Sequence, residues 1–122
     1  MLSVKTDEAT GVVELEVDGT VEHGEYDAAV AALEAAIARD GKARVVEIVR
    51  SFTGMDASLW WHDVTWGFSN ISKFARVAVV TDSGWIGPLT RAVAALMPAE
   101  VRVFGLADLE EARAWARGLP TS

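Results

Sequence analysis

Two hydrophobic rhythms take turns along this chain, and that alternation restricts its fold more than any other feature. Segments with apolar residues at every second position or in short β-branched runs alternate with segments whose apolar residues recur every three to four positions. Residues 2–6 alternate weakly and predict a short edge strand. Asp7-Glu8-Ala9-Thr10-Gly11 is a turn. Val12-Val13-Glu14-Leu15-Glu16-Val17 alternates apolar with acidic, as a strand with one wet face does, so the two segments predict a hairpin. Asp18-Gly19-Thr20 reads as the break after it. Tyr26, Val30, Leu33 and Ile37 then recur at helical spacing in an alanine-rich stretch, and Asp40-Gly41 closes it with a glycine suited to a left-handed cap.

The same logic runs through the second half. Residues 43–49 read as a buried strand. Ser58, with Asp56 also available, predicts the N-cap of a helix running to about Asn70. Residues 75–81 are apolar nearly throughout and predict a central strand. A third helix carries Leu89, Val93 and Leu96 on one face, with Pro88 in its first turn. Residues 101–104 form the last strand, and Asp108 opens a final helix with Leu109, Ala112 and Trp115 inward. The order β-β-α-β-α-β-α-β-α predicts an α/β fold. Its sheet is mixed but mostly parallel, with about five strands, an antiparallel N-terminal strand and about four helices, in one domain over residues 1–122.

Composition removes several classes of function. The net charge is −7; residues 1–61 hold 12 acids against 5 bases, and residues 62–122 hold six of each. An acidic surface repels phosphate backbones, so nucleic acid is not an expected partner, and peripheral membrane contact would have to be apolar or use the neutral second half. There is no cysteine, hence neither disulfide nor thiolate metal site. No apolar run nears the roughly 20 residues that span a bilayer, and the N-terminus lacks a signal-peptide layout; the expected location is the cytoplasm.

Residues 52–68 concentrate three of the five tryptophans and two of the four phenylalanines in 17 residues. On a helical wheel Trp60, Val64, Phe68 and Ile71 share the stripe expected to face the sheet, with Trp61 beside it. Leu59 and Trp66 fall toward the opposite flank. That leaves apolar surface for a neighbouring subunit, a greasy ligand or a membrane, with Trp85 of the next helix joining it. The plainer alternative is that Trp66 packs on a neighbouring helix. The candidate ligand-binding residues are therefore Trp60, Trp61, Val64, Trp66, Phe68 and Trp85. The glycine-bearing loops beyond the carboxyl ends of the strands would offer a crevice for a small anion, or serve as ordinary turns.

Catalysis has no constellation to support it. His23 and His62 have no partner at ligand spacing, so no metal site or cofactor is expected. Ser58, His62 and Asp63 do not make a triad, because Asp63 points roughly 100° away from His62 around a helix and cannot orient it. The chain is expected not to be an enzyme.

Several landmarks together carry a family resemblance: Gly19 and Tyr26 around the first helix, Phe52-x-Gly54-Met55-Asp56, the tryptophan-rich helix from Trp60, residues 77–80 followed by Trp85, and residues 98–104 leading into Ala112-x-x-Trp115. On these the chain resembles the SpoIIAA-like family, within the wider STAS and CRAL-TRIO-like fold group. The resemblance implies a mixed sheet with helices, often paired as a homodimer. Anti-sigma factor antagonists of this group carry Asp-Ser-Ser-Gly after the third strand, with one serine phosphorylated by a partner kinase. Met55-Asp56-Ala57-Ser58-Leu59 is similar, with Ala57 and Leu59 departing from that pattern, and makes Ser58 the phosphorylation candidate. The CRAL-TRIO side of the group binds lipids between helices and sheet.

Two functions are expected from these observations. The first is a non-catalytic binding or regulatory module for a small hydrophobic or lipid-like ligand. The alternative is a protein-interaction module of the anti-sigma factor antagonist type, switched at Ser58.

Overall fold

A computed structural model describes residues 1–55 and 57–118; the side chains of Ala57, Trp60, Val64 and Phe68 also lie outside the described set. Five strands are described: β1 (Leu2–Thr6), β2 (Val13–Val21), β3 (Ala43–Met55), β4 (Phe74–Thr81) and β5 (Glu100–Phe104). Four α-helices join them: α1 (His23–Asp40), α2 (Ala57–Asn70), α3 (Ile86–Ala94) and α4 (Leu109–Ala116). This is the expected element order. β1 pairs antiparallel with β2, and every later pairing is parallel.

The strands stand in the sheet in chain order, β1 to β5. Each crossover from β2 onward therefore moves one place in the same direction. Right-handed crossovers then deliver α1, α2 and α3 to one face, and leave the other to α4. The cores follow this division. Val13, Leu15 and Val45 pack with Leu33 and Ala36 of α1, and Val17 and Val49 pack with Tyr26 and with Leu59 of α2. On the opposite face Val46, Ile48, Ala78 and Val80 pack with Phe104 and with Ala112, Trp115 and Ala116 of α4. The eight-residue α4 is held at its end by the sheet. Arg76 and Arg44 donate to the carbonyls of Trp115 and Ala116 at 2.7 and 3.2 Å, supplying partners that a helix C-terminus lacks.

Two strands run further than the sequence indicates. Asp18-Gly19-Thr20 does not break β2, and β3 continues to Met55. The pairing passes this polar stretch through register shifts at Val17/Asp18 and Gly19/Thr20. Side chains stitch the irregularity: Ser51 Oγ donates to Asp18 Oδ1 at 2.7 Å and accepts the Gly19 N–H at 2.9 Å, and the Thr20 and Thr53 hydroxyls meet at 2.9 Å. Ser58 is also displaced from its expected role. α2 begins at Ala57, so Ser58 lies in the first turn rather than at the cap; Asp56 lies outside the described residues.

Candidate functional site

The aromatic helix α2 uses its faces differently from the wheel expected above. Leu59, Asp63 and Trp66 stand at i, i+4 and i+7 and share a face, and that face meets α1 and the core. Leu59 is buried beside Tyr26 and Val49. The Trp66 indole donates to Glu34 Oε1 of α1 at 3.0 Å and sets its edge against Phe74, ring centroids 5.9 Å apart. Leu59 and Trp66 therefore do not form an outer flank. The acidic α1 and the sheet absorb them, as the plainer alternative for Trp66 required. Trp61 lies roughly 200° around the axis from Leu59 and is the outward residue, 71% exposed. The side chains of Trp60, Val64 and Phe68 lie outside the described residues.

α3 supplies the larger apolar surface, because apart from Ile86 the side chains on its covered side are small. Ile86, Gly87, Thr90 and Ala94 form its covered side. A β-carbon at Gly87 would lie 3.4 Å from Val103 Cγ1, so the glycine lets the helix backbone come close to β5. The large residues point the other way: Trp85 is 54% exposed, Leu89 53%, Val93 46% and Leu96 82%. Their spacing of four, four and three residues makes one stripe. Trp85 at its head leans on Phe52 of β3, ring centroids 6.5 Å apart.

The expected crevice at the carboxyl ends of the strands loses its geometric basis. Such crevices open where strand order reverses and neighbouring crossovers diverge, and this strand order never reverses. Two clefts lie instead near the opposite ends of the strands. One, of about 220 Å³, is lined by Lys5, Asp7, Glu14, Arg113 and neighbours; the other, of about 530 Å³, by Glu8, Arg39, Asp40, Lys42 and neighbours. Both carry mixed charge, and of the candidate ligand-binding residues whose side chains are described, Trp61, Trp66 and Trp85, none lines either. Among the described residues no cluster of His, Asp and Glu is arranged to hold a metal ion, and no helix is long and apolar enough to cross a membrane.

One cluster escaped the sequence reading. Glu47 sits in the middle of β3 at the position of Leu15 and Val79 on its neighbours, facing the layer of α1 and α2. Burial pushes its carboxyl up to about 7, and the charge of Asp63 on α2 adds to the rise. Asp63 is itself raised, chiefly by burial around its carboxyl although the residue as a whole is exposed; the Tyr26 hydroxyl and His62 work against that rise. The Tyr26 hydroxyl donates to Asp63 Oδ1 at 3.1 Å and lies 3.4 Å from His62 Nδ1; the two rings meet edge-on at 5.5 Å. Burial, then the Asp63 charge, holds the Tyr26 phenol well above its ordinary value. A lone acid within the run Val45-Val46-Glu47-Ile48-Val49 was the sequence signal for this cluster.

A singly wound mixed sheet with three helices on one face and one on the other defines the class: an α/β domain whose fold points to a STAS-type module. The chain belongs to the SpoIIAA-like family, whose model matches residues 12–117. A crystal structure of an uncharacterised protein of the DUF3478 family with a SpoIIAA-like fold, from Shewanella loihica PV-4, superposes with a TM-score of 0.73 at 21% identity. The match covers 95% of this chain and 92% of that one, and at this identity it concerns the fold. No curated protein matches the chain.

Proposed function

We propose that this chain is a non-catalytic binding or regulatory module that takes a small hydrophobic or lipid-like ligand, with peripheral membrane contact, on the apolar surface formed by Trp85, Leu89, Val93 and Leu96 and supplemented by Trp61. One observation carries the reading: apart from Ile86, α3 turns Gly87, Thr90 and Ala94 toward the protein and leaves Leu89 and Val93 exposed, with Trp85 and Leu96 at its two ends. Full burial of a leucine or valine is worth roughly 1.5–3 kcal/mol, so leaving such a stripe in water forgoes stabilisation that an apolar partner would restore. The charge pattern fits a neutral partner. Residues 62–122 carry equal numbers of acids and bases, so neither anionic nor cationic lipid is favoured by long-range attraction.

The test is a titration of the protein with zwitterionic phosphatidylcholine vesicles and with neutral detergent micelles, followed by tryptophan emission. Among the described side chains Trp61 and Trp85 are the exposed indoles and serve as reporters. Binding moves the emission to shorter wavelength, and Leu89→Glu weakens it at least tenfold while leaving the fold intact, because Leu89 is exposed. Emission that stays unmoved by both would sink the reading. Sedimentation of the same samples separates the homodimer: self-association lost in Leu89→Glu, without any response to vesicles, assigns the stripe to a second copy.

The alternative, an interaction module of the anti-sigma factor antagonist type, is favoured by the position of Ser58. Its side chain is exposed in the first turn of α2, where the helix dipole stabilises a phosphate. Ser58→Asp then changes binding of a protein partner without changing vesicle binding.

A further inference from the structure

β5 is the last strand of an open sheet. Among the described residues it pairs with β4 alone, so one side of its backbone is an edge. Such an edge presents a row of N–H and C=O groups that another strand can match. Glu100, Arg102 and Phe104 alternate onto the α4 face, where the Arg102 guanidinium lies over the Phe104 and Trp115 rings at 5.2 and 5.6 Å. Val101 and Val103 take the other face, and Gly87 brings α3 close to Val103.

The charges on this edge complement themselves. Glu100 and Arg102 are both exposed and stand side by side on one face. Two copies of β5 that pair antiparallel are related by a two-fold axis perpendicular to the sheet, and opposed residues then lie on the same face. An axis at Arg102 sets two arginines opposite each other, which is unfavourable. An axis at Val101 sets Glu100 against Arg102 of the second copy, on both sides of the axis, with valine meeting valine between them. The side chains can make this contact as they stand. Arg76 Nε donates to Glu100 Oε2 at 2.9 Å, which occupies one of the two carboxylate oxygens, and the Glu100 side chain is 67% exposed. A guanidinium stacked on rings uses its flat face and offers N–H groups along its rim. The opposite edge has no such match, because β1, Leu2–Thr6, carries Lys5 and no acid.

We propose that β5 is a self-association edge: two copies of this chain pair antiparallel through β5 about an axis at Val101, joining their sheets into one, with Glu100 of each copy paired to Arg102 of the other. The contact leaves the apolar stripe of α3 open. Trp85, at the head of that stripe, leans on Phe52 of β3 and so lies on the inner side of the helix, away from the β5 edge. The pairing therefore stands apart from ligand binding on the stripe. A contact between two short strands belongs to the small, weak class of interfaces, with dissociation constants of about 10 μM to 1 mM.

Sedimentation equilibrium of the full chain, up to about 1 mM protein at about 0.15 M salt, tests this. Wild type is expected to form dimers. Glu100→Arg sets arginine against arginine and Arg102→Glu sets glutamate against glutamate, so each variant alone associates at least tenfold more weakly. Mixed together, the two variants match both pairs and form a heterodimer of near wild-type affinity. Loss of an intramolecular contact in either variant does not give that rescue, and the rescue itself shows that both are folded. Leu89→Glu is expected to dimerise as wild type does. Hydrogen exchange reads the edge directly: the amides of residues 100–104 slow as wild type is concentrated. A wild type that stays monomeric at about 1 mM overturns the proposal. So does association that both charge variants retain, or that Leu89→Glu abolishes, since the second copy then sits elsewhere.

Discussion

Replacing Trp115 by alanine should be the most damaging single change on the α4 face, and its size can be worked from the contacts. The ring is 7% exposed in the core of Val46, Ile48, Ala78 and Val80. It packs on Phe104 with centroids 6.0 Å apart, and the guanidinium groups of Arg76 and Arg102 lie 5.0 and 5.6 Å from its centroid. Truncating a buried tryptophan to alanine costs about 3–5 kcal/mol. Two partly exposed cation–π contacts add roughly 0.5–1 kcal/mol each, giving about 4–7 kcal/mol. The bond from Arg76 to the Trp115 carbonyl involves backbone and survives the change. Phenylalanine retains most of the packing and should cost about 1–2 kcal/mol. A domain of this length holds on the order of 6–18 kcal/mol, so alanine removes about a fifth of it or more. Urea unfolding followed by circular dichroism measures both variants. With a slope of about 1.5 kcal/mol per molar, Trp115→Ala lowers the midpoint by about 3–5 M. A loss under about 2 kcal/mol at unchanged slope, or equal losses in both variants, would refute the claim that α4 holds its face through this ring.

Three further outcomes are expected. The Glu14 carboxylate accepts from Arg113 at 2.7 and 3.1 Å beside Lys5; burial raises its pKa, but these cations outweigh burial and hold it below 4.5. Its stabilisation is thus present above pH 4.5 and lost as pH falls through the depressed value, so Glu14→Gln lowers stability at pH 7 and flattens the acid limb of a stability profile measured by thermal melts. Gly41 closes α1 at φ 83° with open space around its α-carbon, so Gly41→Ala costs roughly 1 kcal/mol through backbone strain alone, and Gly41→Asn less, in the same urea assay. Trp66→Phe removes the donor to Glu34 but keeps the edge contact with Phe74; it should cost about 1 kcal/mol, whereas Trp66→Ala should cost at least twice that.

Glu14 and Glu16 alternating with valine and leucine predict a strand with one wet face; Glu14 does look away from α1, but α4 and Arg113 cover it and leave its side chain only 14% exposed. Asp18-Gly19-Thr20 misled, because a polar stretch with glycine is a local break signal, while the pairing that carries β2 onward comes from Ser51 and Thr53, 32 to 33 residues away. Trp66 was assigned to an outer flank because a wheel fixes angles between residues but not which arc meets the protein. Glu34, which claims its indole, lies on another helix.

The sequence by itself determined the succession of strands and helices, the parallel sheet and the family, because periodicity and turn residues are local and crossover handedness is general. Only the tertiary structure decided which side of α3 faces water. An amphipathic pattern predicts that Leu89 and Val93 turn inward, yet close approach to Val103 at Gly87 selects the small side. It also decided the character of Glu47. A carboxyl in a valine-rich strand is one letter in the sequence; its raised pKa arises from burial under distant segments and from Asp63, and both exist only once the chain has folded.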